Sequence, residues 1–128
     1  MSNNRINAIC GGAGNDIWIG TDSGLTRWHD GKLENFARKD PRFGVLVQSL
    51  YQDADNALWI GTKRHGLLRW RDGELKEFNR KSGLYSDAIY SILEDDHTNF
   101  WLNSSRGIFR VNKRQVESVA KGNEKAIT

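Results

Sequence analysis

Asp16-Ile17-Trp18-Ile19-Gly20-Thr21 returns in this chain as Ala57-Leu58-Trp59-Ile60-Gly61-Thr62, and again as Asn99-Phe100-Trp101-Leu102-Asn103-Ser104. The three tryptophans of these stretches stand 41 and 42 residues apart. A period of about 40 residues indicates that each copy is one supersecondary unit, which buries its apolar face only against its neighbours. We therefore expect a repeat architecture, and such scaffolds carry many different functions.

The copies correspond at many positions besides the tryptophan, over residues 5–119. A β-branched residue stands twelve positions before each tryptophan. A glycine follows each tryptophan-containing stretch, and an arginine stands three positions after that glycine. Repeat two has one extra residue between Thr62 and Gly66, which accounts for the longer spacing. The corresponding residues are Ile6, Val47 and Ile89; Gly24, Gly66 and Gly107; and Arg27, Arg69 and Arg110.

Each repeat predicts four short antiparallel strands, because runs rich in Ile, Val, Leu, Trp and Phe alternate with turn residues. Asp30-Gly31 and Asp72-Gly73 lie between apolar runs and are typical of hairpin turns. The fourth strands are expected at Leu33–Phe36, Leu75–Phe78 and Val116–Val119. The units are expected at residues 5–37, 46–79 and 88–120, and residues 121–128 are expected to form a tail or linker.

Four antiparallel strands in about 40 residues are typical of a β-propeller blade, so we expect an all-β fold of three four-stranded blades. The phrase W-I-G-T at Trp18 and Trp59, followed by G-L-x-R, closely resembles the two-component regulator propeller repeat. The segment Ser82-Gly83-Leu84-Tyr85-Ser86-Asp87 resembles the linker between such blades, whereas the third copy departs from the phrase at Asn103-Ser104. WD-type and kelch propellers are the alternatives, but the sequence has no Trp-Asp dipeptide and no Gly-Gly pair in the kelch position.

The resemblance implies the sensor region of a bacterial hybrid two-component sensor or a related signalling protein, located in the periplasm. Propellers of that family are ligand-sensing or dimerising platforms, often linked to polysaccharide use. The chain contains no kinase, receiver or DNA-binding segment, so the resemblance implies a non-catalytic portion of such a protein. A protein-protein interaction scaffold and a fragment of a propeller lyase or glycosidase are the alternative functions.

The composition fits a single small domain of 128 residues, of which 38% are hydrophobic. The sequence has no run of 18 apolar residues, so we expect no direct membrane contact. The polar start Met1-Ser2-Asn3-Asn4 is unlike a signal peptide, which leaves a cytoplasmic location as the alternative. The single cysteine, Cys10, excludes a disulfide within the chain and is expected to be a small buried hydrophobic residue.

The charged residues are sorted by loop in the predicted fold. Loops between first and second strands hold acidic residues, whereas loops between second and third strands, and the linkers between blades, are mainly basic. Such a basic face would attract an anionic glycan or an acidic protein surface, with an ordinary solvated surface as the alternative. No nucleic-acid motif accompanies it, so nucleic acid is not an expected partner. The predicted ligand-binding residues are Lys63, Arg64, His65, Arg80, Lys81 and Arg106.

Other recurring residues are expected to serve the structure. Recurrence at one repeat position favours packing between blades for the tryptophans and turn formation for the glycines. The acidic loops lack the spacing of a calcium loop and the three histidines lie in different loops, so we expect neither a metal site nor a cofactor. No catalytic motif is present, and we expect no enzyme activity from this segment. The structural positions are Trp18, Trp59, Trp101, Gly24, Gly66 and Gly107.

Three blades are fewer than the four to eight of closed propellers, so the first and last blades would each expose an apolar flank. Two copies joined head to tail would close a ring of six blades. We therefore expect a homodimer. The alternative is that the chain is a piece of a larger propeller.

Overall fold

A computed structural model describes residues 5–12, 14–122 and 127 of the chain. In this part of the chain three antiparallel sheets follow one another, and the strands of each sheet pair in chain order. Blade 1 consists of β1 (Ile6–Gly11), β2 (Ile17–Thr21), β3 (Gly24–His29) and β4 (Lys32–Asn35). Blade 2 consists of β5 (Val47–Gln52), β6 (Leu58–Thr62), β7 (Leu67–Arg71) and β8 (Glu74–Phe78). Blade 3 consists of β9 (Ile89–Glu94), β10 (Asn99–Ser104) and β11 (Gly107–Asn112), followed by the helix α1 (Lys113–Ala120).

The fourth strand predicted for blade 3 at Val116–Val119 is wrong, because this segment lies within α1. In blades 1 and 2 an Asp-Gly pair with positive φ at both residues turns the third strand into the fourth. Blade 3 has Lys113-Arg114 at the corresponding place and therefore lacks that hairpin turn. The side-chain oxygen of Asn112 instead accepts hydrogen bonds from two backbone N–H groups of the first helical turn and caps α1.

Val116 keeps the burial that the repeat predicts, although its local structure differs. Leu75 occupies the corresponding position of β8 and lies in the apolar core between blades 1 and 2. Val116 is fully buried in the core between blades 2 and 3. The helix thus replaces the missing strand as a cover for the preceding blade.

Two apolar cores hold the blades together, and each lies between neighbouring sheets. The first strand of blade 2, β5, lies between the first strands β1 and β9 of its neighbours. Trp18 lies in the core between blades 1 and 2, and Trp59 lies in the core between blades 2 and 3. Each of these two tryptophans therefore faces the blade that follows it in the chain.

The glycine of the W-I-G-T phrase allows the next blade to approach closely. A Cβ atom at Gly61 would lie 2.1 Å from Ser49 Oγ and 2.8 Å from the carbonyl oxygen of Ile89 in blade 3. At Gly20 a Cβ atom would lie 2.3 Å from a methyl group of Val47 in blade 2. Side chains are therefore excluded at both positions by the neighbouring blade.

Ile127, within the predicted tail at residues 121–128, is 4% exposed and belongs to the core between blades 2 and 3. Its N–H donates to the carbonyl oxygen of Ser82 at 2.6 Å. This contact anchors Ile127 on the linker between blades 2 and 3. Within the described residues, no helix is long and apolar enough to cross a membrane.

Candidate functional site

The predicted ligand-binding residues lie in loops of one kind, which we call the basic loop face: Lys63, Arg64, His65, Arg80, Lys81 and Arg106. The first three form the turn between β6 and β7, and Arg106 lies in the turn between β10 and β11. Arg80 and Lys81 lie in a short 3-10 turn, Arg80–Ser82, of the linker between blades 2 and 3.

Repeated hydroxyl contacts hold the two turns of this face in place. Thr62 Oγ1 donates to the carbonyl oxygen of Gly66 at 2.8 Å and accepts from the N–H of His65 at 2.9 Å. In blade 3, Ser104 Oγ donates to the carbonyl oxygen of Gly107 at 2.7 Å and accepts from the N–H of Arg106 at 3.1 Å. The glycine in each turn has positive φ, which suits a residue without a side chain. The turns therefore present their basic side chains from a fixed backbone.

Four of the six predicted residues line a single depression of about 330 Å³ between blades 2 and 3. The hydroxyl groups of Ser86 and Ser105 lie 3.0 Å apart. The depression is thus formed jointly by one turn of each blade and by the linker that joins them. Its lining consists of Lys63, Arg64, Arg80, Arg106, Ser86, Asp87, Ala88 and Ser105.

The other two predicted residues lie outside this depression. His65 lines a neighbouring depression of about 310 Å³ with the linker residues Gly44, Val45 and Leu46. Lys63 and Arg64 also line that depression, so the two openings share one basic rim. Lys81 lies outside the lining of both.

Positive charge dominates the depression between blades 2 and 3. Asp87 is its one acidic lining residue, and the carboxylate of Asp87 accepts a hydrogen bond from the N–H of Arg80 at 2.8 Å. Across the part of the chain that the structure describes, the side chains of Lys63, Arg64 and Arg80 form no ion pair. Arg106 lies over the ring of Tyr85 at 5.5 Å, which orients its guanidinium group. Guanidinium groups that lack carboxylate partners are suited to bind carboxylate, sulfate or phosphate groups in a bidentate manner.

The opposite loop face pairs several of its charges within the protein. The ammonium group of Lys113, a residue that the sequence did not single out, lies 2.9 Å from Asp53, 3.5 Å from Asp55 and 3.5 Å from Glu94. A depression of about 450 Å³ adjoins it, but there the guanidinium of Arg71 is paired with Glu117 at 3.1 Å. This region is therefore the weaker candidate for a charged ligand.

The buried ion pairs of that face shift several pKa values. Burial opposes ionisation of Asp53, but hydrogen bonds from Trp59 and Lys113 outweigh it and lower the pKa of Asp53. Burial likewise opposes the charge of Lys113, but its bond to Asp53 raises the pKa of Lys113. Desolvation, together with the hydrogen bond to Glu94, raises the pKa of Tyr51 to about 12. The shifts of Asp53 and Lys113 both favour the charged forms of these two residues at neutral pH.

His29 and Cys10 lie apart from the basic loop face. His29 forms an ion pair with Asp16, and this hydrogen bond raises the pKa of His29. Cys10 is partly buried, packs against the core between blades 1 and 2, and donates to the carbonyl oxygen of Gly11 at 3.3 Å. In the described part of the chain, no group of three or more His, Cys, Asp or Glu side chains is arranged to hold a metal ion.

The tryptophans differ in exposure although they share a repeat position. Trp18 and Trp59 are buried between blades, whereas Trp101 is 40% exposed. An arginine lies over each ring, at 5.5 Å for Trp18, 6.0 Å for Trp59 and 5.8 Å for Trp101. An arginine thus lies over Trp101 as over the other two, but within the described residues no blade packs against it.

The comparisons with known proteins agree with this fold. Residues 43–64 match the two-component regulator propeller family. Among curated proteins, no sequence matches the chain.

Several solved structures have a similar fold. The extracellular domain of the hybrid two-component system BT4673 from B. thetaiotaomicron is similar over 86% of this chain and 16% of that one, with a TM-score of 0.70 and 23% identity. PorZ, a surface component of the type-IX secretion system of Porphyromonas gingivalis, is similar over 94% of this chain and 20% of that one, with a TM-score of 0.68 and 18% identity. Virginiamycin B lyase from Staphylococcus aureus is similar over 87% of this chain and 40% of that one, with a TM-score of 0.68 and 21% identity.

The chain spans less than half the length of each of these proteins. Identities this low show the fold alone, and the same fold occurs in a two-component system, a secretion component and a lyase. The predicted all-β propeller fold is confirmed, as is the recognition of its repeat. The chain is therefore a β-propeller segment, and its residues 43–64 match the two-component regulator propeller repeat.

Proposed function

We propose that this chain is a non-catalytic, ligand-binding segment of a bacterial two-component signalling protein, located in the periplasm. The family repeat at residues 43–64 supports this proposal. So does the likeness to the extracellular domains of two hybrid two-component systems from B. thetaiotaomicron, BT4673 and BT3049. The ligand is an anionic glycan, bound on the basic loop face.

One observation carries the choice of ligand: Lys63, Arg64, Arg80 and Arg106 surround one depression that has a single acidic lining residue. Like charges held this close repel one another, and an anion that enters between them relieves the repulsion. The local excess of positive charge also raises the concentration of anions near the depression before they bind. A neutral sugar gains neither effect.

The remaining lining fits a carbohydrate. The hydroxyl groups of Ser86 and Ser105 can exchange hydrogen bonds with sugar hydroxyls, and the ring of Tyr85 lies beside the depression under Arg106. An acidic sugar would therefore place its carboxylate or sulfate group among the guanidinium groups and its hydroxyl groups on the serines. The lining donates hydrogen bonds and positive charge, which favours binding over proton transfer.

Binding at this depression would connect two blades. Lys63 and Arg64 belong to blade 2, Arg106 belongs to blade 3, and Arg80 belongs to the linker between them. A ligand that contacts all three would stabilise one arrangement of the blades. The stabilisation equals the difference between the binding free energies of the ligand for that arrangement and for the other arrangements. Such a difference is what a sensor requires.

The test measures binding of sulfated and carboxylated oligosaccharides by calorimetry, with neutral oligosaccharides of equal length beside them. We expect only the anionic sugars to bind, more weakly as the ionic strength rises. Arg64→Glu and Arg106→Glu should each weaken binding by about tenfold or more, because each removes a charge-assisted hydrogen bond. Arg114→Glu, which makes the same charge change on the opposite loop face, is the matched control and should change the affinity by less than about twofold.

The outcomes separate the alternatives. Equal binding of neutral and anionic sugars, or equal losses in Arg114→Glu and Arg64→Glu, would reject an anionic ligand at this site. Binding of an acidic protein without any binding of sugars would favour the interaction scaffold. Cleavage of a bound sugar, detected by mass spectrometry, would reject the non-catalytic assignment.

A further inference from the structure

The exposed apolar surface is confined to the two ends of the segment. Nine large hydrophobic side chains are exposed among the described residues. Blade 2, which the structure describes throughout, has none, because it is covered on both sides. Four of the nine belong to blade 1, namely Ile6, Ile9, Ile17 and Leu33. The other five belong to blade 3 or the linker before it, namely Tyr85, Tyr90, Leu93, Trp101 and Ile108.

One face of blade 1 forms what we call the leading flank: Ile9, Ile17, Ile19, Trp28 and Leu33. Cross-strand pairing places these five side chains together, with Ile9 opposite Ile19, Ile17 opposite Trp28, and Trp28 opposite Leu33. The corresponding residues of blade 2 pack into the core against blade 1. Those residues are Leu50, Leu58, Ile60, Trp70 and Leu75. The leading flank of blade 1 therefore has the same apolar pattern as the face of blade 2 that packs against blade 1.

One face of blade 3 forms the trailing flank: Leu93, Trp101 and Ile108. Leu93 lies directly opposite Trp101 on the neighbouring strand. The corresponding residues of blade 1 are Cys10, Trp18 and Leu25, and those of blade 2 are Tyr51, Trp59 and Leu67. All six of these pack in or against a core between blades. The trailing flank thus carries the pattern that packs against a following blade.

We infer that a second copy of this chain docks head to tail, with the trailing flank of one copy against the leading flank of the other. The chain contains both halves of a blade interface, and two complete examples of that interface exist between its own blades. Two copies joined in this way have two such contacts, which close a ring of six blades, within the usual range for propellers. This inference goes beyond the proposed function and does not depend on it.

The contact between copies is smaller than the two contacts within the chain. Blade 3 has Asn103 at the position where Gly20 and Gly61 let the next blade approach. In the proposed contact, the side chain of Asn103 separates β10 of one copy from β1 of the other. The trailing flank also lacks a counterpart of Phe36 and Phe78, because α1 packs on the other face of blade 3. We therefore expect a dimer that forms and dissociates with concentration.

The test measures mass by light scattering and by sedimentation over a range of concentrations, first for the unchanged chain and then for Ile9→Glu and Ile108→Glu. These two side chains are 67% and 73% exposed, so the fold of a single copy does not depend on them. Each variant alone should be a monomer, because every contact then includes a buried glutamate. An equimolar mixture should form dimers again, because one pairing joins two undamaged flanks.

Two further variants sharpen the result. Ala54→Glu adds the same charge in an exposed loop of blade 2 and should dimerise like the unchanged chain. Asn103→Gly should lower the dimer dissociation constant by at least about fivefold, because it removes the side chain that separates β10 of one copy from β1 of the other.

The inference is overturned if the unchanged chain remains a monomer up to its solubility limit. It is also overturned if either glutamate variant, shown by circular dichroism to be folded, still forms dimers alone. A mixture that stays monomeric would exclude the head-to-tail arrangement, since a contact between two identical flanks would never be restored by mixing.

Discussion

The indole Nε1 of Trp59 donates to Oδ2 of Asp53 at 2.8 Å. Oδ1 of the same carboxylate accepts the N–H groups of Asp55 and Ala57, so one buried side chain joins the β5–β6 turn to the core between blades 2 and 3. Trp101 repeats this bond with Asp95, six residues earlier, at 2.9 Å.

Blade 1 lacks this carboxylate and has Gly12 at the corresponding position. A Cβ atom at Gly12 would lie 2.6 Å from Nε1 of Trp18, so the indole ring occupies the space that an aspartate would need. The contact between aspartate and tryptophan is therefore a feature of the repeat that blade 1 replaces by direct packing.

Replacement of Asp53 by alanine should destabilise the fold by about 3 kcal/mol, since Lys113 would remain buried without its nearest carboxylate. The change also leaves the indole N–H of Trp59 without its acceptor. Urea unfolding measures the free energy directly. Asp95→Ala is the matched control at the equivalent position, and its effect should be clearly smaller because the contact with Trp101 is exposed. Equal losses in the two variants would contradict the role given to Lys113.

The stability of the fold should fall in acid. The hydrogen bond from Trp101 is the main cause that lowers the pKa of Asp95 from 3.8 to about 2. A carboxyl group whose pKa is lower in the folded state stabilises the protein above its unfolded pKa. That stabilisation is lost as the pH falls through the folded pKa. Asp53, whose pKa is also lowered, acts in the same direction.

The measurement is the free energy of unfolding between neutral pH and about pH 2. The unchanged chain should lose stability mainly between about pH 4 and pH 2, and Asp95→Asn should flatten this part of the curve. An Asp95→Asn curve parallel to that of the unchanged chain would contradict the prediction.

A methyl group at Gly61 should separate blades 2 and 3. The added Cβ would lie 2.8 Å from the backbone oxygen of Ile89, which cannot move without shifting β9. We expect Gly61→Ala to cost about 2 kcal/mol or more in unfolding free energy. Asn103→Ala, at the same repeat position of blade 3, should change the stability of the monomer by less than about 0.5 kcal/mol, because this residue is exposed. A tolerated Gly61→Ala would mean that the blades are packed less closely than the structure shows.

Most of the fold could be predicted because the repeat supplies the same information three times. Trp18 and Trp59 mark the strand phrase, and Asp30-Gly31 and Asp72-Gly73 mark the hairpins that the structure confirms. The helix α1 was missed because alignment with the other copies gave Val116 its burial but not its local conformation. The missing Asp-Gly pair, and Asn112 as a possible cap, were the signals that could have revealed it.

The site could be predicted only in part. The sequence predicted Lys63, Arg64, Arg80 and Arg106 on one face, because the loops that carry them lie on the same side of the blades. The structure places these four residues around one depression. The pairing of Lys113 with the acidic loop of blade 2 was not foreseeable. It depends on how the helix crosses to the neighbouring blade, which no repeat position encodes.

Loss of the cap of α1 should loosen the helix and expose the core that it covers. The side chain of Asn112 accepts from the N–H groups of Arg114 and Gln115 and also donates to Asn99 at 3.2 Å. Asn112→Ala should cost about 1 kcal/mol, because two N–H groups of the first turn lose their acceptor. Hydrogen exchange should accelerate in α1 before it does so in β6 or β7.

Two further variants separate the cap from the contact with the neighbouring strand. Asn112→Ser retains an acceptor oxygen at the cap and should recover most of the lost stability. Asn99→Ala removes the partner in β10 but leaves the cap intact, so exchange in α1 should stay slow. If Asn99→Ala loosens α1 as much as Asn112→Ala does, the helix is held by the strand contact and not by its cap. Because α1 carries both Val116 and Lys113, unchanged exchange in Asn112→Ala would mean that these two buried residues alone hold the helix in place.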